Sequence, residues 1–287
     1  MKYDPLDETF LADPYDTYRA LRDLDPVHRH EDPDFYALSR FEDVWSAVRD
    51  PAVFSSAQGL TFYPDEIEAL GLAPTIVMLD PPRQAELRRL ISHGFTPRRV
   101  AALEEDLRTF VRGRISLMEQ KTADGEPVDL HRELSAPLPT YALANLLGVP
   151  AADRARFDPW VKALTTLQDE GFDARSITSA PDAVAEMFGY FGDVIAARRS
   201  EPGEDLISAL VTAEVDGERL SDWDVLGFCF VMVAGGNDTT ANLISHGVML
   251  LDGDHAQRDL LCADLSLVPN AVMEFLRLEG SVQGLAR

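Results

Sequence analysis

The stretch from Ser221 to about Leu251 constrains this chain more than any other part of its 287 residues. Ser221-Asp222-Trp223-Asp224 supplies a helix start, because a serine oxygen can accept from the free N–H groups of a first turn. At 1.5 Å per residue the roughly thirty residues that follow would span about 45 Å, enough to run through the body of a protein of this size. From Val225 to Gly236 the sequence is apolar on nearly all sides, as expected of a helix that other helices surround. At its midpoint stand Gly235-Gly236-Asn237-Asp238-Thr239-Thr240, poor choices for a buried helix that only has to be stable. Each glycine costs about 0.8–1 kcal/mol relative to alanine in a helix interior, and an aspartate beside an apolar core costs more unless it is solvated or paired. Thr239 lies one helical turn after Gly235, so its hydroxyl can reach that carbonyl and widen the turn. Without side chains, Gly235 and Gly236 also let a flat ligand approach the backbone. A kink with a solvated aspartate is the ordinary explanation of a lone Gly-Gly pair. Space, a proton-active carboxylate and a hydroxyl on adjacent turns together favour a functional site.

The rest of the chain reads as mainly α, with a small sheet near the N-terminus, in one domain over residues 1–287. Helical spacing predicts helices at Tyr15–Leu24, Phe41–Asp50, Arg83–His93, Pro97–Gln120, Leu130–Leu147, Asp153–Leu167 and Pro181–Arg199. Phe35–Ser39 is short, β-prone and preceded by Pro33-Asp34, which predicts a strand. Thr122–Pro127 and Ser200–Gly203 carry turn chemistry. The net charge of −23 argues against a nucleic-acid partner, which requires a surplus of lysine and arginine. Neither a signal peptide nor a membrane span is predicted, since the longest apolar run falls well short of the roughly 20 residues that cross a bilayer. Cys229 and Cys262 stand far apart and in no paired spacing, so no disulfide or metal site is predicted, and a reducing cytoplasm fits best.

Two further motifs carry chemistry. Glu274-Phe275-Leu276-Arg277 puts opposite charges on one helical face, by itself an ordinary surface ion pair. Asp80-Pro81-Pro82-Arg83-Gln84-Ala85-Glu86-Leu87-Arg88-Arg89, followed by Phe95-Thr96-Pro97-Arg98, brings Gln84 and Arg88 together at helical spacing, where both can donate to a carboxylate. A solvated basic helix face accounts for Arg89 better than for Arg88.

These three segments, in this order, resemble the cytochrome P450 family over essentially the whole chain. The hexapeptide at Gly235 is similar to the oxygen-activation motif [Ala/Gly]-Gly-x-[Asp/Glu]-Thr-Thr on the long helix above the haem. Glu274 and Arg277 match the Glu-x-x-Arg signature, and the segment at Asp80 resembles Asp-Pro-Pro-x-His-x-x-x-Arg-Arg, with Gln84 where many relatives have histidine. Glutamine can still donate to a carboxylate, so propionate binding is expected to weaken and not to vanish.

The resemblance implies a cytochrome P450 fold, a haem b cofactor, and hydroxylation of a small hydrophobic substrate with dioxygen and two electrons from a ferredoxin or flavodoxin and its reductase. It implies that Asp238 relays protons and that Thr239 hydrogen-bonds the bound dioxygen. Gly235 and Gly236 would border the oxygen pocket, Val231 and Ala234 would face the substrate, and Gln84, Arg88 and Arg287 would hold haem propionates. Glu274 and Arg277 would form a structural ion pair. The family's iron ligand is a cysteine in a Phe-x-x-Gly-x-His-x-Cys-x-Gly loop after the Glu-x-x-Arg helix. No such loop occurs before Arg287, and neither Cys229 nor Cys262 has its context. The expectation is therefore a chain truncated before its haem-ligand region, with a non-catalytic fragment as the alternative. Substrate identity is expected to lie in the loops Ser55–Pro74 and Leu164–Pro181.

Overall fold

The computed structural model describes residues 3–5, 7–32, 34–59, 74–157, 159–162, 181–215 and 217–287. Most of both substrate-loop stretches, and the end of the helix expected at Asp153–Leu167, lie outside them. The chain divides into two compact units, Met1–Gln84 with Leu285–Arg287, and Ala85–Gly284.

In the first unit, Asp7 caps helix α1 (Glu8–Ala12) by accepting from Thr9 and Phe10 N–H groups. Helix α2 (Tyr15–Leu24) follows with the predicted bounds and buries Leu21. Strands β1 (Val27–Glu31) and β2 (Asp34–Leu38) pair antiparallel, with His30 opposite Phe35 and Arg29 opposite Tyr36. The Arg29 guanidinium donates to the Asp34 carboxylate at 3.0 Å and ties the tip of this hairpin. Helix α3 (Phe41–Ala47) and a single 3₁₀ turn at Ile76–Met78 complete the described elements of this unit.

Helix α4 (Arg83–Ser92) leads into the second unit. The helix expected over Pro97–Gln120 is two helices, α5 (Pro97–Ala102) and α6 (Glu104–Ala123), which meet at Leu103. The Thr96 hydroxyl caps α5 by accepting from Arg99 N–H, while three acidic residues, Glu104, Glu105 and Asp106, open α6 and favour a new helix N-terminus there. The helix expected over Leu130–Leu147 begins as a π-helical turn (His131–Ser135) before α7 (Pro137–Leu146). Its widened ring is closed by Ala136 N–H donating to His131 C=O, and Pro137, lacking an N–H, stands where the α-helix begins. The Asp153 helix is 3₁₀ over Ala151–Arg156.

Helices α8 (Pro181–Ser200), α9 (Leu206–Thr212), α10 (Asp222–Gly236), α11 (Asp238–Gly253), α12 (His255–Ala263) and α13 (Val268–Leu278) build the remainder, with a two-stranded ribbon, β3 (Glu214–Val215) and β4 (Glu218–Arg219), before α10. The core of this unit lies where α8, α9 and α10 pack together, around Phe191, Ile195, Leu206, Leu210 and Val225. Phe157, Trp160 and Phe191 form an aromatic cluster beside it, with ring centroids 5.1–6.1 Å apart. The Tyr190 hydroxyl at the cluster's edge donates to Asp153 at 3.2 Å, and burial, with Asp153 adding to it, pushes its pKa up to about 12. No described helix is long and apolar enough to cross a membrane.

Candidate functional site

The predicted central helix starts as its sequence requires. Ser221 Oγ accepts from Asp224 N–H at 3.1 Å and the Asp224 carboxylate accepts from Ser221 N–H at 2.9 Å, a reciprocal cap. From there α10 buries Val225, Phe228, Cys229, Phe230 and Val233. The helix does not run unbroken to Leu251. It is interrupted at Asn237 (φ −92°, ψ −64°), whose backbone stays in the right-handed helical region, and α11 starts at the next residue.

The surroundings of that joint separate into an open side and a pinned side. A side chain added at Gly235 would meet no atom within 4 Å, and one at Gly236 would only touch Leu143 of α7 at 4.0 Å. Gly235 is itself exposed, so the backbone there faces open space. The Thr239 hydroxyl donates to Gly235 C=O at 2.9 Å, the bond expected from the spacing, and Ser281 Oγ donates to Thr239 C=O at 2.8 Å. On the other side Asn237 is buried, its amide donating to Val233 C=O at 2.8 Å and accepting from the Thr140 hydroxyl at 2.9 Å. Asp238, Thr239, Val231 and Ala234 are half-buried around the joint. The fold thus gathers a carboxyl group, a hydroxyl and a bare stretch of backbone at one break in one helix.

Known proteins share this sequence and fold. The chain is 45% identical over 283 residues to cytochrome P450 130 of Mycobacterium tuberculosis, covering 96% of this chain and 68% of that protein. It is 36% identical over 282 residues to the cytochrome P450 monooxygenase PikC of Streptomyces venezuelae, covering 65% of it. The chain belongs to the cytochrome P450 family. Among solved cytochrome P450 structures, ligand-free TbtJ1 superposes with a TM-score of 0.81 at 32% identity, covering 96% of this chain and 69% of that one. No family model matches the chain. The fold is accordingly the mainly α cytochrome P450 fold that the motifs imply.

The other expected site residues fall in both units. Gln84 and Arg88 lie on α4, Gln84 half-buried and Arg88 exposed, and neither side chain has a hydrogen-bond or ion-pair partner among the described residues. Arg287 belongs to the first unit, where its guanidinium donates to the Ser56 hydroxyl. Asp80 of the same cluster accepts from the Ser55 hydroxyl and from Ser56 N–H. These bonds, Ser55 first, and the nearby Arg287 charge hold its carboxyl below the usual range. An arginine has five N–H donors, so the Ser56 contact leaves Arg287 others for a propionate. Glu274 and Arg277 form a two-point ion pair, with one bond of 2.9 Å, on the exposed face of α13. The Arg277 hydrogen bond lowers the Glu274 pKa.

A cytochrome P450 carries haem, and the residues present fit one side of it. In the second unit the open space at Gly235 suits a flat ring and unpartnered Arg88 suits a propionate, and in the first unit unpartnered Gln84 can donate to a carboxylate. The cysteines do not fit the thiolate role. Cys229 is fully buried in α10, and burial pushes its thiol pKa far above the usual value, whereas Cys262 stands on the exposed side of α12. Among the described residues no cluster of three His, Cys, Asp or Glu side chains could hold a metal ion. Sequence reading missed Asn237 and Thr140 as parts of the site. The available signal was a polar amide at the end of an apolar run, which once buried demands partners.

Proposed function

We propose that the chain supplies the oxygen side of a haem-thiolate monooxygenase site that hydroxylates a small hydrophobic substrate. One oxygen atom of dioxygen would enter a substrate C–H bond and the other would leave as water, with two protons and two electrons consumed. A ferredoxin or flavodoxin with its reductase would deliver those electrons, and cytoplasmic location fits such partners. The observation that carries this reading is the joint at Asn237, where an open backbone at Gly235, the Asp238 carboxyl group and the Thr239 hydroxyl come together.

Haem b, when bound, would supply the activation of dioxygen and the acceptance of electrons. The chain's residues have other tasks. Gly235 and Gly236 keep the backbone low, so that a flat ring can lie against the helix. Gln84, Arg88 and Arg287 are the residues that would donate hydrogen bonds to propionates. The Asp238 carboxyl group would take a proton from solvent and pass it inward, and the Thr239 hydroxyl, its proton given to Gly235 C=O, would accept a hydrogen bond from the group that receives it. Val231 and Ala234, half-buried before the joint, border the substrate. Glu274 and Arg277 stiffen α13.

The test uses the chain fused to the cysteine-loop segment of cytochrome P450 130 and loaded with haem. Asp238→Asn removes a titratable proton and should slow turnover about 10- to 100-fold with substrate binding kept. Thr239→Ala should leave NAD(P)H consumption running while product falls and hydrogen peroxide rises. Unchanged turnover in the first variant and unchanged coupling in the second would remove both residues from the reaction.

A second reading is favoured by the character of Cys229 and Cys262. With neither suited to the iron, the 287 residues alone would form a non-catalytic haem-fold fragment.

A further inference from the structure

We infer that Asn237 and Thr140 act as a positioning pair that fixes the backbone at the break between α10 and α11 and so aims Asp238 and Thr239. The inference rests on the proposed roles of those two residues.

Asn237 is only 2% exposed, and an amide so placed needs both of its ends satisfied. Its Nδ2 donates back one turn to Val233 C=O at 2.8 Å, and its Oδ1 accepts from Thr140 Oγ1 at 2.9 Å. The amide can sit only one way round, since turning it over would set Oδ1 against the Val233 carbonyl oxygen, two acceptors face to face. Thr140 has one proton to give. Its alternative acceptor, Ala136 C=O, is farther away at 3.3 Å, so the shorter bond to Asn237 takes it.

Thr140 is itself fixed, because α7 is held from behind by the π-helical turn that ends at Ala136. That turn also reaches α11, where His131 Nδ1 lies 3.2 Å from Ser245 Oγ. The bond between side chains therefore joins the break in one helix to a braced neighbour. The next residue along is Asp238, and the one after it is Thr239 with its hydroxyl on Gly235 C=O. Rotation at Asn237 would carry both with it. A helix break of this kind would otherwise be free to shift, since glycine precedes it on both of the preceding positions.

The experiment uses the haem-free 287-residue chain, labelled with ¹³C at threonine methyl groups, in four forms: wild type, Thr140→Val, Thr140→Ser and Asn237→Asp. Valine keeps the shape of threonine and removes only the hydroxyl. The Thr239 methyl signal should move or divide into two in Thr140→Val and return to its wild-type position in Thr140→Ser. Asn237→Asp keeps the acceptor for Thr140 but puts a carboxylate against Val233 C=O. It should move the same signal, and it gives the answer should Thr140→Val fail to fold. A Thr239 signal that stays in place in the folded Thr140→Val or Asn237→Asp chain, whatever the loss of thermal stability, would overturn the inference and leave the pair as packing. None of these readings depends on turnover, so the roles of Asp238 and Thr239 can fail in the haem-loaded fusion while the clamp stands, and the reverse.

Discussion

Gly235 carries a helix cost that its surroundings do not require. It lies within α10 with a backbone that alanine tolerates, and a methyl group there would meet nothing within 4 Å. Alanine loses less conformational entropy than glycine on entering a helix, so Gly235→Ala should raise stability by about 0.5–1 kcal/mol. The family motif has alanine or glycine at this position, so the same methyl group should leave haem binding of the fused protein in place. Urea unfolding and haem titration measured on one variant check both halves. Lower stability would mean that the space at Gly235 is filled by the chain itself. The hydrogen bond from Thr239 to Gly235 C=O was readable in advance because a threonine hydroxyl reaches the carbonyl one helical turn back. The Asn237 partnership was not, since Thr140 lies almost a hundred residues away in sequence and nothing local announces the contact.

Elements show the same division. The helix before the joint was legible from its cap and its apolar run, because a helix buried on all sides has few other sequence solutions. Where α5 gives way to α6, and where a π-helical turn precedes α7, periodicity alone continues smoothly, and the breaks come from capping and from tertiary partners. Glu133 shows what holds that turn. Its buried carboxylate meets Arg114 and Lys121, each at 2.6 Å, across from α6. The Lys121 hydrogen bond, followed by the charges of Lys121 and Arg114, lowers its pKa. A carboxyl group depressed in the folded state stabilises fully above its unfolded pKa, about 4.3, and loses that contribution as pH falls through the folded value. Glu133→Gln should therefore destabilise the chain at neutral pH and flatten the fall of stability below about pH 4. Chemical unfolding across pH 3 to 7 measures this, and parallel curves for both proteins would show that the carboxylate adds nothing.

For the whole molecule, the motifs, the fold and the relatives agree on a cytochrome P450, and the chain covers 68% of cytochrome P450 130. The residues proposed for the oxygen side of the haem lie at the joint between α10 and α11, and neither Cys229 nor Cys262 suits the iron. A thiolate opposite the oxygen site is what gives the family its chemistry, because its electron donation favours O–O cleavage. The carbon monoxide spectrum of the reduced, haem-loaded protein reports that thiolate directly. The 287-residue chain alone should lack the thiolate-type Soret band, and the same chain fused to the cysteine-loop segment of cytochrome P450 130 should show it. A thiolate-type band from the chain alone, or none from a folded, haem-loaded fusion, would contradict the account.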